Sequence, residues 1–162
     1  MFEVKPPVQA DDYPRRADMF VAVSANQRLW RACREDDSFS SERFSRHGET
    51  FCFLKIDGSE GLDEDGFLDR ASMEDALNEV LIPARAGCVI GGGTGARHSY
   101  IDLALTDVES AIPLICSRLR TGKIPRRTWL LSFEAALARE WIGVYGDTPA
   151  PPGADEVSED PD

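Results

Sequence analysis

From residue 50 onward the hydrophobic and polar positions fall into two alternating periods. Thr50–Asp57 (TFCFLKID) is rich in aromatic and β-favouring residues and reads as a strand. Met73, Ala76, Leu77, Val80 and Leu81 then recur at helical spacing, with Ser72 as the cap, Asp75 reaching back to it, and Pro83 as the stop. Cys88–Ile90 is a short apolar run. In His98–Leu105, Ser99, Ile101, Leu103 and Leu105 alternate with His98, Tyr100, Asp102 and Ala104, which is the period of a strand. Thr106 and Glu109 have capping-box spacing ahead of the apolar stripe Val108, Ala111, Ile112, Ile115 and Leu119. Pro113 lies inside that helix, and Gly122 ends it. Thr128–Phe133 is a further strand. Glu134–Tyr145 reads as a short helix, or as a turn followed by an edge strand.

The order strand, helix, strand, strand, helix, strand is that of the split βαβ motif. It predicts an α+β, ferredoxin-like βαββαβ domain over residues 49–147, with a four-stranded antiparallel sheet and two helices on one face. Residues 1–48 read as an N-terminal extension packing on that domain, with a short strand at Met19–Ser24 and a short helix at Asn26–Arg34. Residues 148–162, rich in Pro, Gly and acids, read as a disordered tail.

Composition adds bounds. The 162 residues are 42% hydrophobic and 29% charged, as in a globular domain. No apolar run approaches the roughly 20 residues of a membrane span, and the N-terminal stretch with Glu3, Lys5, Asp11 and Asp12 shows no apolar signal region, so a cytoplasmic setting is expected. Six of the 29 acids lie at Asp147–Asp162, so the net charge of −11 is largely a property of the tail. A mildly acidic body argues against nucleic-acid binding. Cys33, Cys52, Cys88 and Cys116 are scattered among apolar neighbours and read as reduced, buried thiols. With only two histidines, no metal site is expected. No cofactor is expected either.

The stretch GCVIGGGTGARHSYIDLALT carries the densest chemistry. Gly91-x-Gly93-x-x-Ala96 matches a dinucleotide fingerprint in letters, but that mechanism needs a helix directly after the loop. The alternation after Arg97 and the capping box at Thr106 favour a β-hairpin whose tip is Gly91–His98. At one end of the sheet this tip would meet the acidic loop Asp57–Asp69 and the basic linker Arg118–Arg127. Gly91, Gly92, Gly93, Thr94, Gly95, Arg97, Arg126 and Arg127 are therefore candidates for an anion pocket of backbone N–H groups and guanidinium groups. The competing outcome is that the basic linker pairs with the acidic loop. The acidic run lacks the spacing of a calcium loop.

On the sheet face turned from the helices, Phe51, Phe53, Lys55 and Asp57 would sit beside His98, Tyr100 and Asp102. The last three are candidate acid–base residues. An aromatic face of this kind calls for a cover, either residues 1–48 or a second copy of the chain. The expected function is a non-catalytic module that binds a small anionic ligand or a protein partner, or dimerises through this face. The alternatives are an enzyme using His98, Tyr100 and Asp102, and an acidic inhibitor of a basic partner.

Overall fold

The computed structural model describes residues 2–3, 12–36, 38–59 and 61–154. Its elements are β1 (Phe2–Glu3), β2 (Met19–Ser24), α1 (Gln27–Glu35), β3 (Thr50–Asp57), α2 (Arg70–Leu81), β4 (Gly87–Gly95), β5 (His98–Leu105), α3 (Val108–Thr121), β6 (Thr128–Ser132) and β7 (Trp141–Gly143). Single 3₁₀ turns lie at Ser41–Arg43 and Ala135–Leu137. All strands join one open antiparallel sheet in the order β1-β2-β4-β5-β3-β6-β7. Six strands have three residues or more, and the two-residue β1 extends one edge.

The sheet is thus wider than the four strands expected. Met19–Ser24, assigned to an extension, pairs along the glycine-rich half of β4, and Trp141–Gly143 adds the opposite edge. Residues 98–105 are a strand, so the hairpin pattern describes the 87–105 segment. The glycines, however, are not in its tip. Gly91, Gly92, Gly93 and Gly95 all lie within β4, and the turn is reduced to Ala96–Arg97. The reason is close approach. A Cβ on Gly93 would collide with the Met19 sulfur, and one on Gly95 would fall on the Asp18 carboxylate. β4 therefore serves as bare backbone on which β2 can lie.

Helix starts follow side-chain capping, shifted slightly from the sequence expectation. Asp69 caps α2 in a reciprocal box with Ser72, so Ser72 is inside the helix rather than its cap. Asp107 caps α3 through the Ser110 N–H, while Thr106 donates instead to the Arg85 carbonyl. Pro113 is accommodated within α3, and Gly122 ends it.

Two apolar layers flank the sheet. On one side Cys52, Leu54, Ile56, Ile101, Leu103 and Leu105 pack with Met73, Leu77 and Leu81 of α2 and Ala111, Ile115 and Leu119 of α3. On the other, Phe51, Phe53, Tyr100, Trp129, Leu131 and Phe133 pack with Leu29 of α1 and with Phe39. The aromatic face is therefore covered in large part by the chain's own residues, among them Leu29 and Phe39 of the N-terminal region, which is one of the two covers expected.

The C-terminal segment also stays against the body for longer than its composition suggests. The Trp129 indole N–H donates to the Pro149 carbonyl at 2.6 Å, the Tyr145 N–H donates to Thr148 Oγ1 at 2.9 Å, and Pro151 and Pro152 are buried. Residues 148–154, within the segment expected to be disordered, thus pack on the body. A buried indole needs an acceptor, and proline rings supply apolar surface that hydropathy patterns miss. Residues 155–162 lie outside the described residues. Among the described residues, no helix is long and apolar enough to cross a membrane.

Candidate functional site

The covered face of the sheet holds a layer of buried polar groups. Strand alternation places Lys55 and Asp57 of β3 beside Tyr100 and His98 of β5, in direct register. The turn at residues 13–18 closes over them.

Asp18, absent from the sequence candidates, organises the layer. It is fully buried, and its carboxylate accepts four hydrogen bonds. Oδ2 accepts from the backbone N–H groups of Arg97 and His98 at 2.9 Å each and from His98 Nδ1 at 3.1 Å. Oδ1 accepts from the Tyr100 hydroxyl. Burial pushes this carboxyl upward. The bonds from His98, Tyr100 and the two amides outweigh that and hold it well below the usual range. A carboxylate can only accept, so the imidazole carries its proton on Nδ1. His98 Nε2 is buried, with no partner among the described residues. Burial, with the Asp18 carboxylate second, pushes the Tyr100 phenol far upward, so it remains a donor. Tyr100→Phe should cost about 1.5–3 kcal/mol, the range for a hydrogen bond to a charged group. Urea unfolding tests this, and an unchanged midpoint would show that the bond contributes nothing.

The three expected acid–base residues do not form one cluster. His98 and Tyr100 share Asp18, whereas Asp102 turns to Arg16, with an N–O distance of 3.2 Å. His98 is 1% exposed and Tyr100 0%, so neither reaches solvent.

The expected anion residues come to the same end of the sheet, but the structure engages them internally. Asp57 Oδ1 and Oδ2 accept from Arg97 Nε and Nη2 at 3.2 and 3.0 Å, and Oδ2 accepts from Arg127 Nε at 2.7 Å. Burial raises the Asp57 carboxyl, but Arg97, Ser59 and Arg127 reverse this and leave it well below the ordinary range. Arg126 pairs with Asp147 and lies over Tyr145. Lys123 pairs with Asp63 and Asp65 of the acidic loop at 3.2 and 3.3 Å. Thr94 Oγ1 accepts from Arg70 at 3.3 Å. The glycines are flanked on both sides by β2 and β5, so their backbone belongs to the sheet. What forms here is chiefly the competing outcome, pairing between linker and loop.

A different cavity, of about 410 Å³, opens between residues 14–19, the end of α1 and the sheet. Phe53 and Phe133 form its apolar wall, with Met19 and Cys33 beside them. The Arg16 guanidinium lies 5.3 Å from the Phe53 ring centre, 5.6 Å from Tyr100 and 5.1 Å from Phe133. Its Nη groups serve Asp102, whereas its Nε–H is buried and has no partner among the described residues. Arg15 and Arg34, both exposed, also line the cavity. The Asp36 carboxylate there is engaged by Ser38 and Arg43. Burial, with Asp102 adding to it and Arg16 opposing, pushes the Cys33 thiol up to about 12, so it is an inert wall rather than a nucleophile. Among the described residues no three His, Cys, Asp or Glu side chains converge as a metal-ligand set. Comparison with protein-family models, curated proteins and solved structures finds no match to this chain.

Asp18, Arg16 and this cavity escape sequence reasoning. Residues 12–18 have no periodicity, and nothing in the letters signals which acid will meet Tyr100.

Proposed function

We propose that the protein is a non-catalytic binding module for a small anion with an apolar body, held in the cavity beside Arg16. The observation that carries this reading is the Arg16 guanidinium over Phe53 and Phe133 in the wall of a cavity lined also by Arg15 and Arg34. Arg15 and Arg34 at the rim add attraction for a negative group, while Phe53 and Phe133 suit a flat apolar body. The reading places the ligand away from the glycines and from Arg97, Arg126 and Arg127, whose cations already face carboxylates.

We also read residues 50–132 as a ferredoxin-like core. The neighbour order β4-β5-β3-β6, all antiparallel, and the placement of α2 and α3 against the same apolar layer support that reading. On it, β2 and β7 are additions at the two edges. A cytoplasmic setting is proposed with it; free thiols at all four cysteines fit.

Benzoate is a suitable probe, because it joins a carboxylate to a flat ring. It should raise the melting temperature in proportion to the logarithm of its concentration, whereas benzyl alcohol should not. The pair Arg15→Glu and Arg34→Glu, both at exposed positions, should remove the shift while leaving the unliganded melting temperature nearly unchanged. Equal behaviour of benzoate and benzyl alcohol, or a shift that survives the double substitution, would overturn the reading.

A further inference from the structure

A row of exposed arginines follows the covered face of the sheet. Arg139 and Arg15 line a second, smaller cavity, of about 180 Å³, together with Trp141 and the segment Pro151–Ala154. Arg15 also lines the cavity beside Arg16, where Arg34 of α1 joins it. Arg31 and Arg28 continue the row along α1, each three residues from the next. All five are exposed, and none has a carboxylate within ion-pair distance among the described residues. We propose that this row is a docking surface for the chain's own acidic segment, residues 155–162, which lies along it and screens the mouth of the cavity beside Arg16. The docking stands by itself, whereas the screening rests on the ligand reading above.

Three observations support it. The first is charge. Residues 155–162 (DEVSEDPD) carry five acids and no cation. Against the five arginines stand only Glu35 on α1 and Asp36, whose carboxylate Ser38 and Arg43 already engage. In a chain of net charge −11, unpaired cations gathered on one face attract the carboxylates that begin beside them. The second is place. Pro151 and Pro152 are buried, and Gly153, at φ 79°, packs against Pro14, where an added Cβ would lie 2.8 Å from the proline Cβ. Ala154 then lines the same cavity as Arg15 and Arg139, so the acids start at one end of the row. Arg15 itself stands at φ 45°, a left-handed backbone that arginine rarely adopts. The third is reach. Eight extended residues span at most roughly 29 Å, about twice the length of α1, which is roughly 14 Å. Each exposed ion pair is weak, but several act together, and the tether removes the cost of bringing the two charge rows to one place.

The test compares the full-length protein with a full-length variant whose five tail acids are replaced by amides: Asp155→Asn, Glu156→Gln, Glu159→Gln, Asp160→Asn and Asp162→Asn. A synthetic peptide of residues 154–162, carrying a neutral fluorophore, is titrated with each protein and read by fluorescence anisotropy. It should bind the amide variant at least about threefold more tightly than the native chain, whose own segment competes at an effective concentration of roughly millimolar. Binding should vanish between about 0.1 M and about 1 M salt, where the screening length falls from about 10 Å to about 3 Å. Adding Arg31→Glu and Arg139→Glu to the amide variant reverses two exposed charges that do not line the cavity beside Arg16. This should weaken the peptide at least about tenfold while the benzoate shift remains. The benzoate shift should also be larger in the amide variant than in the native chain.

Equal peptide affinity for the native chain and the amide variant would overturn the docking. So would binding that survives the two glutamates on protein whose circular dichroism is native. A difference that grows with protein concentration, as a segment reaching a second copy would produce, also overturns it. Equal benzoate shifts in the two chains would overturn the screening. A benzoate shift absent from both would remove the ligand reading instead, and the peptide titration then decides the docking alone.

Discussion

Asp18→Ala is expected to destabilise the protein by about 3–5 kcal/mol, the range for removing one partner from a buried charged network. The carboxylate is fully buried and accepts from Tyr100, from His98 Nδ1 and from the amides of Arg97 and His98. Alanine would leave all four donors in a space closed to water. Such a loss is a large part of the roughly 5–15 kcal/mol that holds a domain together. Asp18→Asn should not restore stability, because its amide group presents donors where the site holds only donors.

The pH dependence follows from the same geometry. Asp18 sits at 3.8 when unfolded and well below that in the native state, so its contribution is complete above pH 3.8 and is lost as pH falls through the native value. The stability gap between native protein and Asp18→Ala should therefore narrow in acid below pH 3.8. Urea unfolding at neutral and acidic pH measures both effects. A gap under about 1 kcal/mol at pH 7 would mean the network contributes no more than a surface substitution.

Gly91→Ala is expected to have the second largest effect, about 3 kcal/mol, at the upper end of overpacking costs. A Cβ there would collide with the Val23 carbonyl oxygen and lie 2.9 Å from Ser24 Cα. Both are backbone atoms of β2, so no rotamer change relieves the contact, and β2 must move off β4. Asp18 immediately precedes β2, so the disturbance reaches the His98–Tyr100 network as well. Hydrogen exchange should become faster for the amides of residues 19–24 and for Arg97 and His98, more than for β3. Gly146→Ala is the control, since nothing lies within 4 Å of its added carbon. Equal stability of the two variants would show that β2 adjusts freely.

The two outer faces of the central strands were legible from local pattern. The alternation in Thr50–Asp57 and His98–Leu105 sorted Leu54, Ile101 and Leu103 from Phe53, Tyr100 and Asp102, because strand geometry alone sends successive side chains to opposite faces. Helices α2 and α3 were legible from their apolar stripes, with caps displaced from Ser72 to Asp69 and from Thr106 to Asp107, where neighbouring polar residues compete for one role. The convergence of Asp57, Arg97 and Arg127 followed from chain direction.

Local pattern stops where function depends on which surfaces meet. Four glycines in a row of apolar residues describe either a loop or a strand. They become a strand because β2 needs bare backbone to lie against and Asp18 needs the space beside Gly95. Asp18, Arg16 and Lys55 are ordinary charged letters in sequence. Burial makes them consequential, and burial here is set by residues 13–18 and 149–154 closing over strands far from them along the chain. Periodicity reports an element's own faces, which covalent geometry dictates. The partner that covers each face is a property of the assembled chain, and that partner decides whether a charge is solvated, paired or buried.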